Sequence, residues 1–302
     1  MQIALKVDVD CFRGTREGVP ALMRLFDEFK VRATFLFSLG PDHTGRAIRR
    51  VFRPGFLSKV GRTSVVSHYG IRTLLYGTLL PGPHIGRRAG DILRSVANAG
   101  HEVGVHCYDH IRWQDFVAHK DADWTRREMQ RAVDAFEEVF GHRPTVHGAA
   151  GWQLNAHTLA LEQELGFRYA SDVRGRDAFY PVMDGVVSRC PQLPTTLPTL
   201  DELIGLDGTD ETNVHERVFA ASRVPLPQGH VYTLHAELEG MKLMPVMRRL
   251  LEQWRASGDE LGTLAATFER IDLRRLERRE ITWGEVPGRS GLLAIETAHA
   301  QA

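Results

Sequence analysis

Apolar positions along this chain follow two alternating periods. Ile3-Ala4-Leu5-Lys6-Val7-Asp8-Val9-Asp10 reads as a buried strand that ends in two carboxylates. Val19, Leu22, Met23, Leu25, Phe26 and Phe29 then recur at helical spacing over residues 17–30, and residues 31–38 read as a second buried strand. After a break, residues 90–99 predict a helix closed by Gly100, followed by a strand that runs to His106. Residues 121–140 are the clearest helix, opened by acidic residues and terminated by Gly141. Strands at 145–148 and 168–172 flank a helix at 155–165 that Gly166 ends. Residues 181–198 hold four prolines and predict extended chain around a short strand at 186–189. A helix at 213–223, a strand at 230–235, a helix at 241–256 and an apolar run at 262–268 complete the series. About seven strand candidates alternating with helices predict an α/β fold, a closed or nearly closed barrel of parallel strands with right-handed crossovers. A single domain is expected over 1–275, with 276–302 as a tail of thin apolar content.

The break lies at residues 43–90. This stretch carries nine Lys or Arg (46, 49, 50, 53, 59, 62, 72, 87 and 88) and no Asp or Glu, with apolar side chains interleaved among the cations. Basic plus apolar without acid is the composition of a surface that meets anionic lipid, so an insertion for membrane or lipid-phosphate contact is expected. The rest is ordinary for a globular protein: 302 residues, 43% hydrophobic, 25% charged, net charge zero. That balance gives no global field towards nucleic acid, and the aromatics form no recognisable nucleic-acid-binding pattern, so no nucleic-acid partner is expected. Three cysteines without CxxC spacing predict small buried thiols and not a disulfide framework. No leader is evident at the start of the sequence and no stretch is apolar for 18 residues, so a cytosolic location, or one on the cytosolic side of a membrane, is expected.

Candidate chemistry gathers at the strand ends. His106 and His110 sit four residues apart at the close of one strand, Asp10 closes the first, and together they make a divalent-metal donor set with open positions. Asp8 is placed as a general base beside them. His235, ending Tyr232-Thr233-Leu234-His235, is placed as a general acid for a departing amine. Asp172 closes a later strand and is a further substrate-side candidate. The small residues of Gly148-Ala149-Ala150-Gly151-Trp152 permit close approach, so a backbone amide near Gly151 or Trp152 is the candidate oxyanion donor.

Asp8-Val9-Asp10, His106-Cys107-Tyr108-Asp109-His110 and Leu234-His235 resemble the successive motifs of the NodB-homology polysaccharide deacetylases. That resemblance implies a distorted (β/α)7 barrel and metal-dependent amide hydrolysis. In it Asp8 is the base, Asp10, His106 and His110 hold zinc, cobalt or manganese, and His235 is the acid. Residues 8–20, 147–152 and 197–205 resemble one branch, which removes a formyl group from an aminoarabinose carried on undecaprenyl phosphate in lipid A modification. The branch implies that substrate, an anionic membrane surface as partner, and a peripheral position on the cytoplasmic side of the inner membrane. The Arg-x-Pro-Tyr-Gly segment of the broad family is missing here, and Arg174 is the candidate partner of Asp8 in place of its arginine. Two alternatives remain open: an N-deacetylase of another glycan, and a non-catalytic lipid-phosphate binding protein.

Overall fold

The computed structural model describes residues 1–47 and 71–297. Residues 48–70 of the expected cationic insertion, including Arg49, Arg50, Arg53, Lys59 and Arg62, lie outside the described residues.

β1 (Gln2–Val9), β2 (Thr34–Ser38), β3 (Glu102–Cys107), β4 (Val146–His147) and β5 (Tyr169–Ala170) lie side by side in a parallel sheet. A short second sheet begins with β6 (Tyr180–Met183) and β7 (Val186–Val187). β8 (His230–His235) returns to the free edge of β1, and β9 (Glu260–Gly262) pairs with the first residues of β1, below the point where β2 takes over that edge. The main sheet therefore has seven strands in the order β5-β4-β3-β2-β1-β8, with β9 on β1. The gap between β5 and β8 is bridged by extended chain: the Leu193 amide donates to the Ala170 carbonyl, and the Thr196 amide donates to the Val231 carbonyl. The four-proline stretch cannot form a regular ladder, since proline brings no N–H, yet it closes the barrel through the residues between its prolines.

Alternation along β1 sorts its side chains. Ile3, Leu5, Val7 and Val9 face outward into one large core shared with the helices Val19–Phe29, Ile85–Asn98, Ala122–Phe140 and Met244–Ala256. Ala4 faces inward with Leu36, Val146, Tyr169 and Val231, and these fill the barrel floor. Each such fully buried aliphatic or aromatic side chain contributes about 1.5–3 kcal/mol, so the outward face anchors the strand. Lys6 and Asp8, two and four positions beyond Ala4, consequently enter the barrel interior above that floor.

The helix boundaries follow local chemistry. Asp121 caps Ala122–Phe140 by accepting from the Trp124 amide, and Gly141 ends it in the left-handed conformation. Asn155 caps Ala156–Leu165 with a reciprocal bond to Thr158.

The expected tail is corrected. β10 (Arg278–Glu285) and β11 (Leu292–Glu296) form an antiparallel hairpin that joins β6 and β7 in a four-stranded sheet of order β11-β10-β6-β7. Ile281 and Ala294 are buried against Leu154, Leu159, Val173 and Phe179. The hairpin covers the barrel with few apolar residues because only one of its faces is buried, and that is why its composition resembled a tail.

Candidate metal centre and active site

Asp10 and His106 are delivered by strand ends, and His110 by the helix that follows β3. Asp8 lies opposite His235 across the β1–β8 pair, and Asp10 follows where β1 has ended. Past that point the chain is held by Glu237, whose Oε1 accepts from the amides of Asp10 (2.9 Å) and Cys11 (2.8 Å). Gly14 allows this approach, because a Cβ there would meet the Glu237 carboxylate at 2.1 Å. His106 ends β3 inside the barrel. His110 opens the helix His110–Phe116, which Asp109 caps by accepting from the Arg112 amide.

Asp10, His106 and His110 converge. His106 Nε2 is 3.3 Å from Asp10 Oδ1, and His110 Nε2 is 3.4 Å from Asp10 Oδ2. Metal–ligand bonds of about 2.0–2.2 Å in a tetrahedron place neighbouring donors roughly 3.4 Å apart, so these separations fit a shared divalent ion. Asp8 Oδ1 and Asp10 Oδ1 are buried without a hydrogen-bond donor, as atoms awaiting a cation would be. Burial alone would raise the Asp10 carboxyl, but the imidazoles of His110 and His106 hold it well below the usual carboxylate range and so ionised. His106 Nδ1 lies 2.5 Å from the Gly148 carbonyl. A carbonyl only accepts, so Nδ1 carries the proton and Nε2 presents its lone pair to the site.

The cation beside Asp8 is Lys6, not Arg174. Lys6 Nζ is 3.7 Å from Asp8 Oδ2 and donates to the Ser171 carbonyl at 2.6 Å, and it is fully buried. Burial lowers its pKa, while the charges of Asp8 and Asp172 oppose that shift. Arg174 is engaged elsewhere, with Glu202 at 2.6 Å and the Leu197 carbonyl at 3.0 Å. The signal for Lys6 was a lysine two residues before Asp8 in an otherwise apolar strand, hence on the same face.

Trp152 forms the wall beside His235, with ring centroids 6.4 Å apart and edge-to-face. Its backbone is left-handed (φ 52°), and its ring lies under the guanidinium groups of Arg289 (4.7 Å) and Arg174 (5.2 Å). The Trp152 amide already donates to the Ala149 carbonyl at 3.2 Å, so the candidate oxyanion donor narrows to Gly151. Gly151 sits at φ 64°, and a Cβ there would meet Gln114 at 2.3 Å. Asp172 lies behind the rim, fully buried, and accepts from the Ala149 amide at 2.6 Å. The three thiols are buried and free, and burial raises the pKa of each, so none of them offers a thiolate to the site.

His235 is held from below by Glu239, which accepts its amide at 2.9 Å and also the Tyr232 hydroxyl at 3.2 Å. Burial pushes Glu239 up to about 7 against the pull of His235. The folded chain therefore keeps a proton that the unfolded chain releases above pH 4.5, and the stability this gives is lost as pH rises through about 7. In Glu239→Gln the group is always neutral. Thermal melts should show the melting temperature of the variant gaining on the parent between pH 4.5 and 7 and levelling off above.

Residues 3–170 match the polysaccharide deacetylase family. The chain belongs to that family. Among the relatives of this chain, the probable 4-deoxy-4-formamido-L-arabinose-phosphoundecaprenol deformylase ArnD of Shewanella sediminis (strain HAW-EB3) is 35% identical, the match covering 98% of this chain and 95% of the relative. The protein of the same description from Wigglesworthia glossinidia brevipalpis is 30% identical, over 94% of this chain and 98% of the relative. The crystal structure of a putative polysaccharide deacetylase from Mycobacterium smegmatis shares the fold of this family member, with a TM-score of 0.64, 20% identity and 94% coverage of each chain. No described helix of this family member is long and apolar enough to cross a membrane.

Proposed function

We propose that this chain hydrolyses the formamide of 4-deoxy-4-formamido-L-arabinose linked to undecaprenyl phosphate, using a divalent metal held by Asp10, His106 and His110. The observation that carries the reading is the meeting of those three donors beside Asp8 and His235, which face each other on adjacent strands, in a chain matched almost end to end by relatives described as that deformylase. A divalent ion bound there supplies Lewis acidity, polarising a carbonyl oxygen and making water more acidic. Asp8 takes a proton from the attacking water, and Lys6, 3.7 Å from its Oδ2, holds the carboxylate in place. The Gly151 amide donates to the oxygen that gains charge. His235 gives a proton to the sugar nitrogen as the C–N bond breaks and formate leaves.

The cationic insertion serves the lipid carrier in this reading. Of its described residues, Leu79 is 81% exposed and Leu80 stands out beside it, while Arg72, Arg87 and Arg88 are exposed as well. Each cation near an anionic leaflet contributes about 1 kcal/mol, enough in sum for reversible docking on the cytoplasmic face.

The test is mass spectrometry of the undecaprenyl-linked formamido sugar before and after incubation with protein and cobalt, zinc or manganese. An N-acetyl analogue is offered alongside. Loss of the formyl mass from the first substrate alone is expected. Loss of acetyl in preference would make the chain a glycan N-deacetylase, and no change in either with metal bound would refute the hydrolytic reading.

A further inference from the structure

Behind the metal ligands stands a second buried cluster that the proposed reaction does not use. His147 Nδ1 is 2.7 Å from Glu162 Oε1 and 3.1 Å from Asp172 Oδ1, and all three side chains are buried. The 2.7 Å separation is right for a hydrogen bond and too short for two donors sharing an ion. Gln192 Nε2 donates to Asp172 Oδ2 at 2.6 Å, and its Oε1 accepts the Asp172 amide at 3.0 Å, so its amide orientation is settled. This is a proton-held cluster and not a second metal site.

What it touches is the point of interest. The Ala149 amide that donates to Asp172 Oδ1 belongs to the same peptide unit as the Gly148 carbonyl that accepts from His106 Nδ1. We propose that Asp172, backed by His147, is a positioning residue for the ligand His106 and strengthens its hold on the metal through the Gly148–Ala149 peptide.

The physical basis is cooperative polarisation. A carboxylate accepting from one end of a peptide group draws charge along it and makes the carbonyl at the other end a better acceptor. A better acceptor at Nδ1–H makes Nε2 a more basic ligand and fixes the ring's rotation. The charges within the cluster suit this task. Burial opposes a charge on His147, but Asp172 and Glu162 outweigh it and push His147 up to about 10. Burial alone would raise Asp172, but His147 holds it well below the usual carboxylate range. Burial and the Asp172 charge raise Glu162 against the pull of His147. The anion is thus kept at Asp172, the carboxylate that touches the peptide.

The inference rests on the metal reading of Asp10, His106 and His110, and its test uses metal binding alone. The metal-free full chain is titrated with cobalt(II) by calorimetry, and the visible absorption of the bound ion is followed. Asp172→Asn is expected to weaken cobalt affinity by roughly 10–100-fold with the ligand set intact. Because that variant removes the carboxylate charge that faces His147 and leaves it only Glu162, it is paired with Asp172→Asn/His147→Gln, which removes both charges and guards against misfolding. The double variant is expected to bind cobalt as weakly as the single one. Parental affinity in the double variant would show that only packing was at stake and overturn the proposal, as would parental affinity in a folded single variant. A parent chain that takes up no cobalt would overturn the metal reading and this inference with it. Cobalt uptake without deformylation would instead count against the substrate assignment alone.

Discussion

Asp8→Asn is expected to lower formate release by roughly 10²–10⁴-fold, the range a positioned general base supplies, with metal binding kept. The separation of the two effects follows from the geometry. Asp10, His106 and His110 lie within donor distance of one another, and the ring of His106 is locked by the Gly148 carbonyl and not by Asp8, from which its Nδ1 stands 3.9 Å away. Asparagine fills the same space but takes no proton from water. Lys6 loses its nearest carboxylate in this variant, so a lowered melting temperature is expected as well. Metal analysis beside a formate assay checks the claim, and turnover at the parental rate would refute the base.

His110→Ala removes metal and activity together. His110 is the more exposed of the two imidazoles, at the start of a helix whose cap is Asp109, so its loss leaves the barrel interior packed. His106, almost wholly buried and tied to Gly148, would confound ligand loss with unfolding. The loss of metal affinity should exceed the roughly 10–100-fold carried by partners outside the ligand set. Calorimetric titration with cobalt and a thermal melt of the metal-free variant separate the two causes. Parental affinity would remove His110 from the ligand set.

Asp8, Asp10, His106, His110 and His235 were legible because their strands end where their polarity begins. A parallel sheet buried on both faces leaves the strand ends as the place for such groups. Lys6 was hidden by the opposite circumstance. It sits mid-strand, where its two-residue spacing from Asp8 was the one trace of its inward direction, which the placement of Ala4 on the barrel floor bears out. Arg174 was misjudged because its partner Glu202 lies on a different stretch of chain, and spacing carries no trace of that pairing. Glu237 and Glu239 follow β8 as plain acidic residues; the support Glu237 gives Asp10 appears only once β1 and β8 are neighbours, and that of Glu239 for His235 only once the chain turns back after β8. The hairpin at 278–296 was obscured because a sheet with one buried face needs few apolar residues.

The three secluded thiols carry a consequence for measuring how tightly this protein holds its ion. Native packing keeps Cys11, Cys107 and Cys190 out of reach, but the denatured chain presents all three to any thiophilic cation, along with its histidines. Zinc therefore has affinity for both ends of the unfolding equilibrium, and its protection against heat understates its grip on the native protein. Manganese, which has little liking for sulfur, is free of that offset, so ranking the two ions by thermal protection would narrow the difference between their true affinities.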